Sequence, residues 1–301
     1  MIVRRKLAIL LIAFFVFAVD TCVVADPQQH PASGLVLRVD DHHKTAVISC
    51  KAIPGYMEAM AMSFSVPDPK DFAILKPGTM VNFVLIVDGN SLSATLVREH
   101  VYLGLEPDPA AARRLELLAK PVHHSAKALA IGDAVPEFVL TDQAGKRVQF
   151  SRFRGKVVAL DFVYTRCALP NFCIRSTNNF GALQNRFRNR LNKDLVLLTI
   201  TFDPVHDSPQ ALHKYARTWK ADPRAWHFLT GSDAAIRRVC DLFGEDYFPE
   251  EGLMDHSLHT AIIDRQGKLV ANLEGNEFTA QQLGDLVNTV LTGSGQASRR
   301  P

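Results

Sequence analysis

The run Val157-Val-Ala-Leu-Asp-Phe-Val-Tyr164 constrains this chain most. It is rich in β-branched and aromatic residues and long enough for one buried strand. Cys167 and Cys173 follow at once, and the pattern after them reads as a helix to about Leu191. A thiol pair at a strand-to-helix junction is placed for chemistry, because a helix N-terminus stabilises the thiolate, which is both nucleophile and metal ligand. Six residues of α-helix rise about 9 Å, whereas the Cα atoms of a disulfide sit roughly 4.4–6.8 Å apart. The two sulfurs can therefore converge only if Ala168 to Phe172 form a loop. Pro170 supports one by biasing Leu169 away from helical angles. The plain alternative is two small buried hydrophobes, since free cysteine is often buried.

Elements of alternating type surround this stretch. Phe138–Thr141 and Val148–Phe150 read as a hairpin over Asp142-Gln-Ala-Gly145. Leu195–Phe202 and Trp226–Thr230 read as strands. Ser208 with Pro209 opens a helix to about Lys220, and Ser232 caps another to Leu242. Leu258–Ile263 and Lys268–Leu273 form a second hairpin, and Thr279 opens a last helix to Leu291. The expectation is a mixed, largely parallel sheet with helices on both faces, spanning 131–292. Cys240, among Ile236, Val239, Leu242 and Phe243, reads as core.

The 301 residues carry a net charge of +3 and are 47% hydrophobic, which fits two domains with ample core and no nucleic-acid partner. The N-terminus reads as an export signal over 1–25: Arg4-Arg5-Lys6, then the apolar run Leu7 to Val19, then Val23-Val24-Ala25. An uncleaved membrane anchor is the alternative, because Thr21 to Ala25 extends the run past Asp20. Export implies a periplasmic or otherwise extracytoplasmic, oxidising compartment. Cys50, Cys167, Cys173 and Cys240 remain in the mature chain.

Residues 33–104 read as a small all-β unit. Short alternating runs (Gly34–Val39, Thr45–Ser49, Met62–Val66, Met80–Val87, Ser91–Glu99) are separated by turn signals, which suggests a five-stranded barrel of OB type. Three of the chain's six methionines, Met57, Met60 and Met62, fall within six positions. Met60 and Met62 share a strand face, and Pro54-Gly55 turns the chain so that Met57 and Cys50 can join them. Thioether and thiolate sulfur select Cu(I) over hard cations; methionine as adaptable core packing is the bland reading. Residues 105–130 read as a linker with one short helix, and 293–301 as a tail. His42-His43 and His123-His124 read as solvated surface pairs.

Two resemblances follow from these residues. The segment with Met60-Ala-Met62 resembles the CusF-like periplasmic copper-binding barrel, with Met57 on its third ligand position and Cys50 where that family has histidine. The α/β part resembles the Sco/SenC family of thioredoxin-like copper proteins. The matching residues are Gly155-Lys-Val-Val-Ala-Leu-Asp-Phe162, Tyr164-Thr-Arg-Cys167 with Cys173, Thr201-Phe-Asp-Pro204 with Asp207-Ser-Pro209, and Asp255-His-Ser257. The resemblance implies a multi-domain chain, an OB-like β-barrel followed by a thioredoxin-like α/β domain, with copper held by Cys167, Cys173 and His256. The family's Cys-x-x-x-Cys loop holds two further residues here. His259 is a fallback ligand, and Asp203 is expected to support the site.

Two function classes follow. The first is an exported copper chaperone, whose acceptor by resemblance is a cytochrome c oxidase subunit or another copper acceptor protein, with a thiol–disulfide reductant protein as second partner. The second is an enzyme: a thiol–disulfide oxidoreductase or peroxide reductase, with Cys167 and Cys173 as its catalytic thiols. A fused methionine-rich barrel makes sense as a second copper site and has no evident use in thiol exchange, so the copper reading leads.

Overall fold

The computed structural model describes residues 27–100, 128–167, 169–250 and 253–293. The expected signal segment, nearly all of the linker and the tail lie outside them. So does the membrane-anchor alternative; among the described residues no helix is long and apolar enough to cross a membrane.

The N-terminal unit holds β1 (Gln28–Asp40), β2 (Thr45–Cys50), β3 (Met60–Ser65), α1 (Pro69–Ile74), β4 (Met80–Asp88) and β5 (Ser91–Glu99). The five strands close on themselves in the order β1-β2-β3-β5-β4, antiparallel except where β3 meets β5. Strand alternation sends Val36, Ile48, Phe64, Leu85 and Ala94 into one core. Gly34 lies where β1 crosses β2, and a Cβ there would come within 2.7 Å of Ser49 O. Asp68 starts α1 by accepting from Lys70 N at 2.7 Å, with Pro69 in the first turn.

The second unit is built on β6 (Val139–Asp142), β7 (Arg147–Gln149), β8 (Val157–Val163), β9 (Leu195–Thr201) and β10 (Trp226–Thr230). A hairpin of β11 (Tyr247–Glu250) and β12 (Leu253–His256) follows, then β13 (His259–Ile263) and β14 (Leu269–Glu274). Seven of these form one sheet in the order β14-β13-β8-β9-β10-β6-β7, with β11–β12 apart. Only the β8–β9 and β9–β10 pairings are parallel, whereas those of β13–β14, β13–β8, β10–β6 and β6–β7 are antiparallel. The expectation of a largely parallel sheet is thus corrected. Both flanks are tight hairpins, and a hairpin can only place its strands antiparallel.

The helices are α2 (Arg175–Arg186), α3 (Pro209–Thr218), α4 (Asp233–Phe243) and α5 (Ala280–Gly293). Phe180 and Leu183 of α2, Leu212 of α3, and Leu283, Leu286 and Val287 of α5 cover one sheet face with Val157, Ala159 and Leu197. Ile236, Val239, Cys240 and Phe243 of α4 cover the other with Val158, Leu160 and Phe162, so Cys240 is core as expected. Ser208 and Ser232 cap α3 and α4 by accepting from Ala211 N and Ala235 N, both at 3.3 Å.

The two units share a core. Leu35, Leu37 and Met80 of the ring pack in the same cluster as α5 and Ala271 and Leu273 of β14. A Cβ on Gly78 would stand 2.7 Å from that of Ala271. Gln282 Nε2 donates to Ser49 O at 2.8 Å, Gln281 Nε2 to Ala59 O at 2.9 Å, and Ser49 Oγ to Asp285 at 2.8 Å. Arg186 grips the other oxygen of Asp285 at 2.6 Å.

Candidate metal centre

The central strand β8 delivers its C-terminal end, Tyr164-Thr-Arg-Cys167, to the rim of the sheet. Asp207, fully buried, pins this exit: its carboxylate accepts from Thr165 N at 3.0 Å, Thr165 Oγ1 at 2.5 Å and Thr201 Oγ1 at 2.5 Å. Leu169 is extended, as Pro170 requires, and a wide turn over Pro170–Ile174 leaves helical angles at Phe172 (φ −110°, ψ −116°) before α2 begins. This is the expected loop between the cysteines, and it folds Cys173 back toward Cys167. Cys173 is fully buried, while Cys167 keeps 9% of its surface exposed.

His256 ends β12, opposite Tyr247 of β11. Its side chain is packed among Phe202, Tyr164 and Phe172, with ring centroids 4.6, 5.9 and 6.1 Å away. Ser257 O lies 2.5 Å from Nδ1. A carbonyl can only accept, so Nδ1 carries the proton and the lone pair of a neutral ring sits on Nε2. Nε2 is 3.8 Å from Cys173 Sγ. The sulfurs of Cys167 and Cys173 and a ring nitrogen of His256 all lie within 4.8 Å of one another.

The two thiols are unequal. The hydrogen bond from Cys173 holds Cys167 well below the usual thiol range, and His256 adds to it. Burial pushes Cys173 well up, and the Cys167 thiolate beside it does the same. Burial works against a charged His256, but the Cys167 and Glu245 side chains beside the ring outweigh it and raise the imidazole to about 9. Without a metal, then, the rim holds a thiolate at Cys167, a reserve thiol at Cys173 and a cationic ring between them. Two thiolates and one neutral imidazole form a soft three-donor set, suited to copper and open on the Cys167 side.

Asp203 does stand in support: Arg166 Nη2 reaches it at 2.8 Å and His206 Nδ1 at 2.8 Å, which fixes the residue before Cys167. His259 is not in the three-residue cluster; its backbone N–H donates to Glu245 at 2.9 Å. Glu245 itself, 1% exposed with Oε1 3.4 Å from His256 Nδ1, escapes sequence reasoning. Between Gly244 and Asp246 it reads as an ordinary polar turn after a helix.

In the ring, Cys50 and Met60 are directly opposed across β2 and β3, and Met62 opposes Ile48. Ile53 pairs with Met57 around the Pro54-Gly55 turn, with Gly55 at φ +75°, so the chain returns as the sequence requires. His30 of β1 stacks on Tyr56 at the tip, centroids 4.0 Å apart. Met57 and Met62 are partly buried against the ring's core, whereas Met60 is 47% exposed. Cys50 is 1% exposed, and burial pushes its thiol up to about 12. The methionines offer neutral donors without a proton to displace; Cys50 has to give one up.

Comparison with known proteins agrees with both halves. Residues 127–291 match the SCO1/SenC family model, and residues 29–98 match that of the copper binding periplasmic protein CusF. The SCO1 protein homolog of Bacillus subtilis is 31% identical over 164 residues, 53% of this chain and 82% of that protein. Protein sco1 of Schizosaccharomyces pombe is 29% identical over 48% of this chain, and the match spans only 56% of that protein. Among solved structures, Arabidopsis thaliana ScoI with copper bound aligns over 54% of this chain and 99% of that one, at 27% identity and a TM-score of 0.47.

Proposed function

From its membership of the SCO1/SenC family, whose thioredoxin-like fold its α/β part adopts, we propose that this chain is an exported copper chaperone. Cys167, Cys173 and His256 are its delivery site, and the ring is a second Cu(I) site at Met60 and Met62 with Met57 and Cys50. The observation that carries this reading is the convergence of two sulfurs and a ring nitrogen of His256 within 4.8 Å. Cys167, the more exposed sulfur, faces the acceptor, for which the family suggests the copper site of a cytochrome c oxidase subunit. The compartment is the periplasm, in line with the CusF match.

The inequality of the thiols favours a companion role. Cys167 is the ready nucleophile and Cys173 the reserve. Transfer of two electrons to a partner disulfide, whose sulfurs leave as one thiol and one thiolate while Cys173 gives up its proton, closes a Cys167–Cys173 disulfide, which blocks the site until a thiol–disulfide reductant protein reopens it.

The test is Cu(I) titration of the full mature chain against a chelator, beside Cys167→Ser, Cys173→Ser, His256→Ala and the double variant Met60→Leu/Met62→Leu. The parent is expected to take up two coppers. Each single variant should lose the same one, and the double variant, which keeps apolar volume, the other. Parent-like binding by all three single variants refutes the delivery site. Parent-like binding by a folded double variant returns the methionines to core packing.

A further inference from the structure

Glu245 is a carboxylic acid buried behind the delivery site. Gly244, at φ +74°, closes α4 in the left-handed cap, and Glu245 N donates back to Cys240 O at 3.0 Å. The side chain is thereby sent inward, under the β11–β12 hairpin. Oε2 accepts from His259 N at 2.9 Å. Oε1 has no hydrogen bond of its own and lies 3.4 Å from His256 Nδ1, on the far side of the ring from Cys173. Among the described residues, His256 is the one ion-pair partner of this carboxylate. Glutamine would fill the same space and accept from the same N–H. A buried carboxylate there costs desolvation that only an adjacent positive charge offsets.

We infer that Glu245 is a positioning residue for His256, a buried carboxyl behind the imidazole that, when ionised, biases the site toward Cu(II) over Cu(I). The inference rests on the copper reading of that site. With two thiolates and a neutral imidazole, the cuprous complex carries one net negative charge and the cupric complex none. A carboxylate across the ring therefore opposes the first more than the second. The ring conveys the effect directly, because an anion at Nδ1 raises the basicity of Nε2.

The experiment, at pH 8 so that Glu245 is ionised, compares Cu(I) and Cu(II) affinities of the full mature chain with Glu245→Gln, and with Glu245→Met as an apolar replacement of similar size. His256→Ala is the control. Glu245→Gln is expected to lower the ratio of Cu(II) to Cu(I) affinity at least tenfold, about 59 mV upward for a one-electron couple. Glu245→Met should move it in the same direction, so either folded variant decides the question. A purely structural role would weaken both affinities together and leave the ratio alone; a ratio within threefold of the parent overturns the inference. If His256→Ala binds both ions like the parent, the copper reading of His256 has failed instead.

Discussion

Asp161 sits in the middle of β8, fully buried in the strand that carries the cysteine loop. Its oxygens accept from Thr199 Oγ1 at 2.6 Å and Ser176 Oγ at 2.8 Å, and Trp226 Nε1 in turn donates to Thr199 Oγ1 at 2.9 Å. Those hydroxyls favour the anion, but burial outweighs them and raises the acid from 3.8 to about 7. A raised folded value means that the native state holds the proton more tightly than the unfolded chain. The contribution to stability is complete below about pH 4 and is lost as pH rises through 7. Roughly three pH units at 1.36 kcal/mol each make the ceiling about 4 kcal/mol, of which about 3 fall between pH 4.5 and 8. Asp161→Asn keeps an acceptor for Thr199, and its amide can donate to the rotatable Ser176 hydroxyl. Urea unfolding of the reduced, metal-free parent and variant at both pH values is the assay. Glu245, also raised to about 7 chiefly by burial, acts in the same direction in both proteins and cancels in the difference. The variant should gain about 3 kcal/mol on the parent from pH 4.5 to 8. Curves that stay parallel within about 1 kcal/mol would refute the buried-acid account.

Two further outcomes are expected. Iodoacetamide at pH 6 should alkylate Cys167 first and leave Cys50 and Cys240 untouched until the chain unfolds; early labelling of Cys50 would contradict its burial. Leu37→Ala should cost about 2–5 kcal/mol and lower one transition common to the whole chain, because Leu37 packs with α5. A ring that melts alone while the α/β part is unmoved would contradict the shared core.

Most of the architecture was legible because burial and chain reversal leave plain marks. Trp226–Thr230 and Ser91–Glu99 are strands at the expected bounds, and Thr279 exchanges two hydrogen bonds with Gln282 where the last helix was expected to open. The β11–β12 hairpin was missed: Tyr247-Phe-Pro-Glu has a proline inside a four-residue strand, and Leu253–His256 is too short to show a period. The shared core did leave a signal. Gly34-Leu-Val-Leu37 is apolar without alternation, as a strand covered on both faces must be, and all four residues are buried. At the candidate metal centre the thiols were marked by their strand-to-helix junction and, together with His256, by resemblance to a family. Asp203 was marked in the same way, but Glu245 and the Arg166 and His206 partners of Asp203 were not, because the meaning of Glu245 and Arg166 lies in contacts between segments 11 to 40 residues apart.

The bonds from α5 to Ser49 and Ala59 bear on how such a chain can be remade. Ser49 and Ala59 are the immediate neighbours of Cys50 and Met60, so the helix grips the two strands beside the sulfurs. A ring transplanted onto another member of the family would arrive without Gln281, Gln282 and Asp285. Its apolar outer face, Leu35 and Leu37, would then meet water. A working chimera has to exchange α5 together with the ring, so the unit of inheritance includes a helix almost two hundred residues farther along the chain.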